Sequence, residues 1–509
     1  INISNTDVMF VVDVTGSMGC TPDGTSCPGG NSADSRLAGL REAVMTFYDT
    51  VEESTSASAQ VRYGMVPYAS NVNVGGALMA ENPSWLARSH TYQSREGDWD
   101  ITFTYEPESY LYERTGNAYN FDDQGRPEEN FYGITTIDDC RNLINSRTDI
   151  FVSASSQGSW TQVSQSGTDP RVTIYQGVVT YESFQFDGGF YYGSSSRCRL
   201  FYDHNEYDAV SKITFTEGRV ENREFTYVYK PVTYDLTSLY DDNRIDLPIG
   251  WEFANQTVTC DGCVEEANTV AETNFNPVPA GANDLNIRLV PSNVNQYWKP
   301  VLFGAVWKRE TGGTNGNANN TLAELRQTEN ERRPAYSCPE PAIRLAETTR
   351  GEMQTAVDAL EANGNTYHDI GMIWGARFIS PNGIFADDNR TAPNGDAVGR
   401  HIIFMTDGEL VPNTEFYNMY GTEWWDRRVS GNANGTRLFD AHSERFQAAC
   451  RLARQENVSV WVVAFGVALT QNLIDCADPG RSFVADDSAE LADRFQEIAQ
   501  RIAALRLTQ

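Results

Sequence analysis

The stretch Val8-Met9-Phe10-Val11-Val12-Asp13-Val14-Thr15-Gly16-Ser17 decides how this chain is read. Its unbroken apolar run, rich in valine and followed by a glycine, predicts a buried central strand rather than a helix. In an open sheet of parallel strands, Asp13, Thr15 and Ser17 then lie on the loop at the strand's carboxyl end, where such sheets place their ligands. One carboxylate and two hydroxyls on a glycine-containing turn make a cluster of hard oxygens. Such donors suit a divalent cation like Mg²⁺, which takes six oxygens at about 2.0–2.1 Å and keeps part of its water. The same residues also suit the N-cap of a following helix.

Two distant segments carry matching chemistry. Gly364-Asn365-Thr366-Tyr367-His368-Asp369-Ile370-Gly371 offers a threonine on a glycine-containing loop, and His401-Ile402-Ile403-Phe404-Met405-Thr406-Asp407-Gly408 offers an aspartate closing a second apolar strand. Taken in this order, the three pieces resemble the metal-ion-dependent adhesion site (MIDAS) of von Willebrand factor type A (VWA) domains. The resemblance implies an α/β fold, a Rossmann-like, doubly wound and mostly parallel sheet. It implies a metal site of Asp13, Thr15, Ser17, Thr366 and Asp407 holding Mg²⁺ (or Mn²⁺ or Ca²⁺). Thr15 and Ser17 would touch the ion directly, Thr366 directly or through water, and Asp13 and Asp407 mostly through water. A Glu or Asp of a protein partner would fill the remaining position as a charge-assisted contact. That is binding and not catalysis, so no enzyme is expected.

Two enzymatic readings fit less well. A phosphatase of the haloacid dehalogenase type also begins with an apolar strand and an Asp, but needs a second Asp where Thr15 stands. A metal-dependent hydrolase lacks ligand spacing, since the five histidines are scattered at 90, 204, 368, 401 and 442.

Composition sets the bounds. The chain has 509 residues, a 40% hydrophobic share and a 21% charged share, which are globular values. Its formal net charge of −30 repels nucleic acid and anionic lipid, so neither is expected as a partner. Nine cysteines indicate an oxidising, extracytoplasmic setting, and the odd count leaves one thiol free or bonded to another chain. Cys20 and Cys27 bracket a polar loop and are expected to staple it. Cys260-Asp-Gly-Cys263 is a C-x-x-C expected to form a structural disulfide, with redox chemistry and half a zinc site as the alternatives. Cys450 and Cys476 are expected to bridge the last two helices. The apolar run from Val458 to Leu469 is interrupted by Ser459 and Gly466 and reads as a core strand, not a membrane span. With Ile1 at the start and no signal pattern, any membrane anchor is expected upstream of the chain.

The chain divides into a first part of the α/β domain (1–80), a β-rich insertion (81–337) and a second part (338–509). Leu37, Leu40, Val44, Phe47 and Val51 form one helical stripe. Val61–Tyr68 and Val72–Val74 read as two strands across a Ser70-Asn71 turn. In the insertion, residues 101–105, 172–175, 178–186, 212–216 and 225–229 alternate aromatic and β-branched residues as strands do. Exposed aromatics there would serve carbohydrate or protein docking, or simply packing. Residues 312–320 read as a mobile loop. Met353, Val357 and Leu360 mark a helix ending at Asn363-Gly364, and Ile370, Ile373, Trp374 and Phe378 a buried one whose Gly371 and Gly375 permit close packing. His368 and Asp369 read as its first turn, where an acid suits the helix dipole. Trp424-Trp425 fits core or a binding ridge. Asp487-Ser-Ala-Glu490 has capping-box spacing before a helix carrying Leu491, Phe495, Ile498, Ile502 and Leu505.

Thr366-Tyr-His-Asp-Ile-Gly-Met-Ile-Trp-Gly-Ala-Arg377, Phe404-Met-Thr-Asp-Gly-Glu409, Tyr420-Gly-Thr-Glu-Trp-Trp-Asp-Arg-Arg428, Val460-Trp-Val-Val-Ala-Phe-Gly466 and Leu505-Arg-Leu-Thr-Gln509 are similar to the TadG-like pilus-assembly proteins of tight-adherence (Tad) systems. The similarity covers the first 75 or so residues and nearly everything after Cys338. It implies an envelope protein whose metal site engages a pilus component, scaffold or host surface. The alternative is a structural subunit of an extracellular assembly, self-associating through the β-rich insertion.

Overall fold

Thr6–Asp13 (β1) is wholly buried along its length, as a strand covered on both faces must be. The computed structural model describes residues 5–55, 59–123, 128–134, 136–146, 150–151, 160–191, 197–311, 319–320, 322–328 and 333–504. With β1, Val61–Tyr68 (β2), Ile343–Ala346 (β3), Gly399–Thr406 (β4), Val458–Phe465 (β5) and Ser482–Ala485 (β6) form one sheet in the order β3-β2-β1-β4-β5-β6. Every neighbouring pair is parallel except β3 with β2, which is antiparallel. The protein is thus mixed α/β, with a mixed parallel and antiparallel central sheet.

Period-two alternation sends the side chains of β1 into two cores. Met9 and Val11 join a cluster with the helices His368–Ile379 and Gly435–Gln455, while Val8, Phe10 and Val12 join one with Arg36–Ser54, Arg350–Asp358 and Ser488–Ala504. Numbered in chain order, these helices are α1 (Arg36–Ser54), α2 (Arg350–Asp358), α3 (His368–Ile379), α4 (Gly435–Gln455) and α5 (Ser488–Ala504). Each fully buried Val, Phe or Met adds roughly 1.5–3 kcal/mol of transfer free energy. The expected stripe of α1 is buried at all its positions, and so are Leu491, Phe495, Ile498 and Ile502 of α5. Leu505 and the stretch 505–509 lie outside the described residues.

Helix α3 is buried from end to end. Gly371 faces Tyr68 and Gly375 faces Val11, so a Cβ at either would overlap the sheet. The close neighbour these glycines serve is the sheet itself. Asp487 accepts from Glu490 N at 2.9 Å, while Glu490 accepts from Asp486 N at 2.9 Å, one residue further back than in a regular capping box.

The chain falls into two compact units, one of Ile1–Asp98 with Phe225–Gln509 and one of Trp99–Glu224. In the second, Arg171–Tyr191 pairs antiparallel with residues 197–217 of the long strand Arg197–Asp235, and Thr161–Ser166 pairs with Arg171–Tyr191. In the first, residues between Leu236 and Trp307 form short strands and turns fixed by buried ion pairs. Arg377 meets Glu266 at 2.7 Å and Arg445 meets Asp284 at 3.2 Å, all with side chains at most 1% exposed.

Several expectations are corrected. Val72–Val74 is not a strand: Asn73 makes single bridges to Cys263 and Pro341, and the valines serve the core. Helix α2 ends at Asp358, five residues before the expected Asn363, and Leu360 is buried from the connecting loop. Cys263 pairs with Cys338 rather than Cys260, which is the free thiol. Cys20–Cys27 forms as expected, and Cys140–Cys198 is a further bridge. Cys450–Cys476 joins α4 to the short helix Gln471–Cys476, not to the last helix. Residues 312–318 lie outside the described ones, and Asn319–Asn320 pairs with Glu310–Thr311 as strand. The four disulfides are consistent with an extracellular protein. Among the described residues no helix is long and apolar enough to cross a membrane.

Candidate metal centre

Residues 390 positions apart meet at the carboxyl ends of β1 and β4, where Ser17 Oγ donates to Asp407 Oδ1 at 2.8 Å. The strands fix the aspartates. Backbone bonds beyond β1 then draw in the threonine loop: Asn363 N donates to Val14 O at 2.8 Å and Gly16 N to Gly364 O at 2.9 Å. This clamp delivers Thr366, whose Oγ1 lies 3.3 Å from Thr15 Oγ1, which in turn lies 3.0 Å from Ser17 Oγ. All four of these residues therefore form one continuous set of oxygens. Asp13 stands just behind, accepting from Thr15 N at 2.9 Å and from Thr406 Oγ1 at 2.8 Å. Asp13, Thr15, Thr366 and Asp407 are buried, Ser17 is half-buried and Gly16 exposed, so the set opens to solvent on the Gly16–Ser17 side.

The electrostatics are those of a site short of positive charge. Burial, and then the facing Asp407 carboxylate, push the Asp13 carboxyl well above its ordinary range. Burial also raises Asp407, against the opposing pull of its bonds from Ser17 and Arg36. Ligands at adjacent corners of an Mg²⁺ octahedron lie roughly 2.9 Å apart for bonds of about 2.0–2.1 Å. The separations among the three hydroxyls, 3.0 and 3.3 Å, fall close to that spacing, while Asp407 is tied to Ser17 by the 2.8 Å hydrogen bond. Donor type, spacing and the buried pair of carboxylates fit a small divalent cation.

Three neighbours escaped the sequence reading. Arg36 Nη1 lies 3.0 Å from Asp407 Oδ2 and 3.1 Å from Asp407 O. Its signal was a cation at the first position of a helix, where the dipole disfavours it unless an acid is near. Thr406 and His368 gave no such signal. His368 Nε2 lies 3.0 Å from Thr406 Oγ1, forming a buried chain that ends on Asp13. Burial pushes the His368 imidazole down to about 4. Asp369, expected to serve the helix dipole, instead pairs with His442. Trp425 is buried as core, while Trp424 is half-buried.

Among the described residues one other group of metal-ligand type occurs, Asp261 with Cys263 and Cys338. Its two sulfurs are joined to each other, which removes them as thiolate ligands. Comparison with known proteins adds no relative: no family model, no curated protein and no solved structure matches this chain.

Proposed function

We propose that the chain is a VWA-type domain of the TadG-like kind, and that Thr15, Ser17, Thr366, Asp13 and Asp407 hold Mg²⁺, Mn²⁺ or Ca²⁺ as a MIDAS. The observation that carries this reading is the contiguous set of Thr366, Thr15, Ser17 and Asp407 oxygens at the ends of two adjacent parallel strands. A bound cation would supply a Lewis-acidic position for a carboxylate oxygen of a partner protein. The chain's own part is to orient neutral hydroxyls at the ion and keep both aspartates behind hydrogen bonds. The neutral hydroxyls of Thr15, Ser17 and Thr366 at the centre of this set support adhesion or assembly in the bacterial envelope over hydrolysis.

Calorimetric titration with Mn²⁺ tests the reading. One site per chain is expected in the wild type and none in Asp407→Ala, and a wild type that takes up no Mn²⁺ would refute it. The partner is then sought by cross-linking in the envelope with and without EDTA.

A second reading, lateral assembly through the unit Trp99–Glu224, draws on the exposure there of Leu111 (57%), Tyr132 (62%) and Val163 (52%). Sedimentation at high concentration tests it, and a monomer rules it out.

A further inference from the structure

Arg36 occupies a costly place. It opens α1, where the helix dipole repels a cation, and its side chain is only 8% exposed. Its guanidinium uses one nitrogen on Asp407, reaching both Oδ2 at 3.0 Å and the backbone O at 3.1 Å, and another on Pro22 O at 3.0 Å. Pro22 belongs to the loop stapled by Cys20–Cys27. The fork therefore holds the carboxylate from behind while Ser17 holds it from the front at Oδ1.

Formal charge gives this arrangement a consequence. Asp13, Asp407 and Arg36 together carry one net negative charge. A divalent ion turns that into one net positive charge, which a carboxylate then cancels. Without Arg36 the two aspartates alone would neutralise the ion, and an arriving carboxylate would leave the buried centre negative. In a weakly screened site that difference decides which ligand is accepted.

We propose that Arg36 is a positioning residue that weakens cation binding in exchange for recruiting an anionic carboxylate ligand, an inference that rests on the metal-site reading above. It fixes Asp407, and its charge makes the loaded site select an acid over water or a neutral amide.

Two titrations of wild type, Arg36→Met and Arg36→Lys test this, each variant first checked for folding by circular dichroism. Mn²⁺ affinity is read by electron paramagnetic resonance, and acetate binding to the Mn²⁺-loaded protein by water-proton relaxation. Arg36→Met is expected to bind Mn²⁺ about tenfold tighter and acetate about tenfold weaker, the opposite signs following from one lost charge. Arg36→Lys, which keeps the charge but not the fork, is expected to lie nearer to wild type than to Arg36→Met on both. If Arg36→Met does not fold, Arg36→Gln, which keeps an amide donor, is read in its place. Both affinities falling together, neither moving, or Lys behaving as Met does would overturn the inference while leaving the metal site standing. A wild type that binds no Mn²⁺ removes both.

Discussion

His442 Nδ1 lies 2.8 Å from Asp369 Oδ2, and neither side chain has any exposed surface. The pair joins α3 to α4 behind the candidate metal centre. Removing one partner leaves the other's buried polar atom without this hydrogen bond, at a cost of about 1–3 kcal/mol. Asp369→Leu and His442→Leu are each expected to lower the unfolding free energy by that order, measured by urea denaturation. The double variant is expected to recover much of the loss, because apolar residues can replace a buried pair together.

Asp426 gives stability a pH dependence. Burial, and then the nearby Glu265, push its carboxyl up to about 7, despite bonds from Gln93 Nε2 at 2.9 Å and Thr422 N at 2.7 Å. The unfolded chain titrates this group near its ordinary value, so the folded state holds the proton more tightly. Its contribution is full below about pH 4 and fades as pH rises towards 7. Asp426→Asn is expected to remove this slope, its stability relative to wild type improving between pH 4.5 and 7.5 by about 1 kcal/mol or more. Parallel denaturation series at the two pH values measure it.

Gly375→Ala tests how closely α3 approaches the sheet. Its new Cβ would overlap Val11 Cγ2, and overpacking of this kind costs about 1–3 kcal/mol. Adding Val11→Ala, which returns the space, is expected to recover part of the loss. Further destabilisation in the double variant would contradict this account.

Asp13→Asn separates binding from folding. Wild type is expected to gain thermal stability from Mg²⁺ or Mn²⁺, about 2.7 kcal/mol at a hundred times Kd, and to lose the gain in EDTA. Asp13→Asn relieves the repulsion with Asp407, so its metal-free form is expected to melt no lower than wild type while responding to neither ion. Scanning calorimetry with and without the cation distinguishes the two effects.

Cys260 supplies a chemical check on the disulfide pattern. It lines a cavity of about 500 Å³ with Asp241, Asp242 and Asp261, and burial pushes its thiol up to about 11. Iodoacetamide at neutral pH is expected to label it slowly in the folded protein and quickly in urea. Peptide mapping is expected to recover Cys263 linked to Cys338, and a Cys260–Cys263 peptide would contradict the assignment.

The sheet was legible because its evidence is local. Apolar runs at 8–12, 402–405 and 460–465 have the composition of buried strands, and Asp13 and Asp407 stand just after two of them. The α1 and α5 stripes followed from periodicity alone. What failed depended on partners distant in the chain. Nothing near Cys263 indicates Cys338, and nothing near Asp369 indicates His442. Val72 and Val74 have the residue type of a strand, but the backbone between them finds only single bridges. The metal-site oxygens were named from motif order, whereas Arg36 required the fold to bring α1 against Asp407.

The neighbour relation of β1 and β4 also bears on how the protein is made. At a synthesis rate of about 5–20 residues per second, the 390 positions between Ser17 and Asp407 take about 20–80 s to emerge. Throughout that interval one edge of β1, apolar on both faces, lies open to any other strand. β1 must stay shielded until β4 has emerged, so yield is expected to depend on holdase chaperones as well as on the stability of the finished fold.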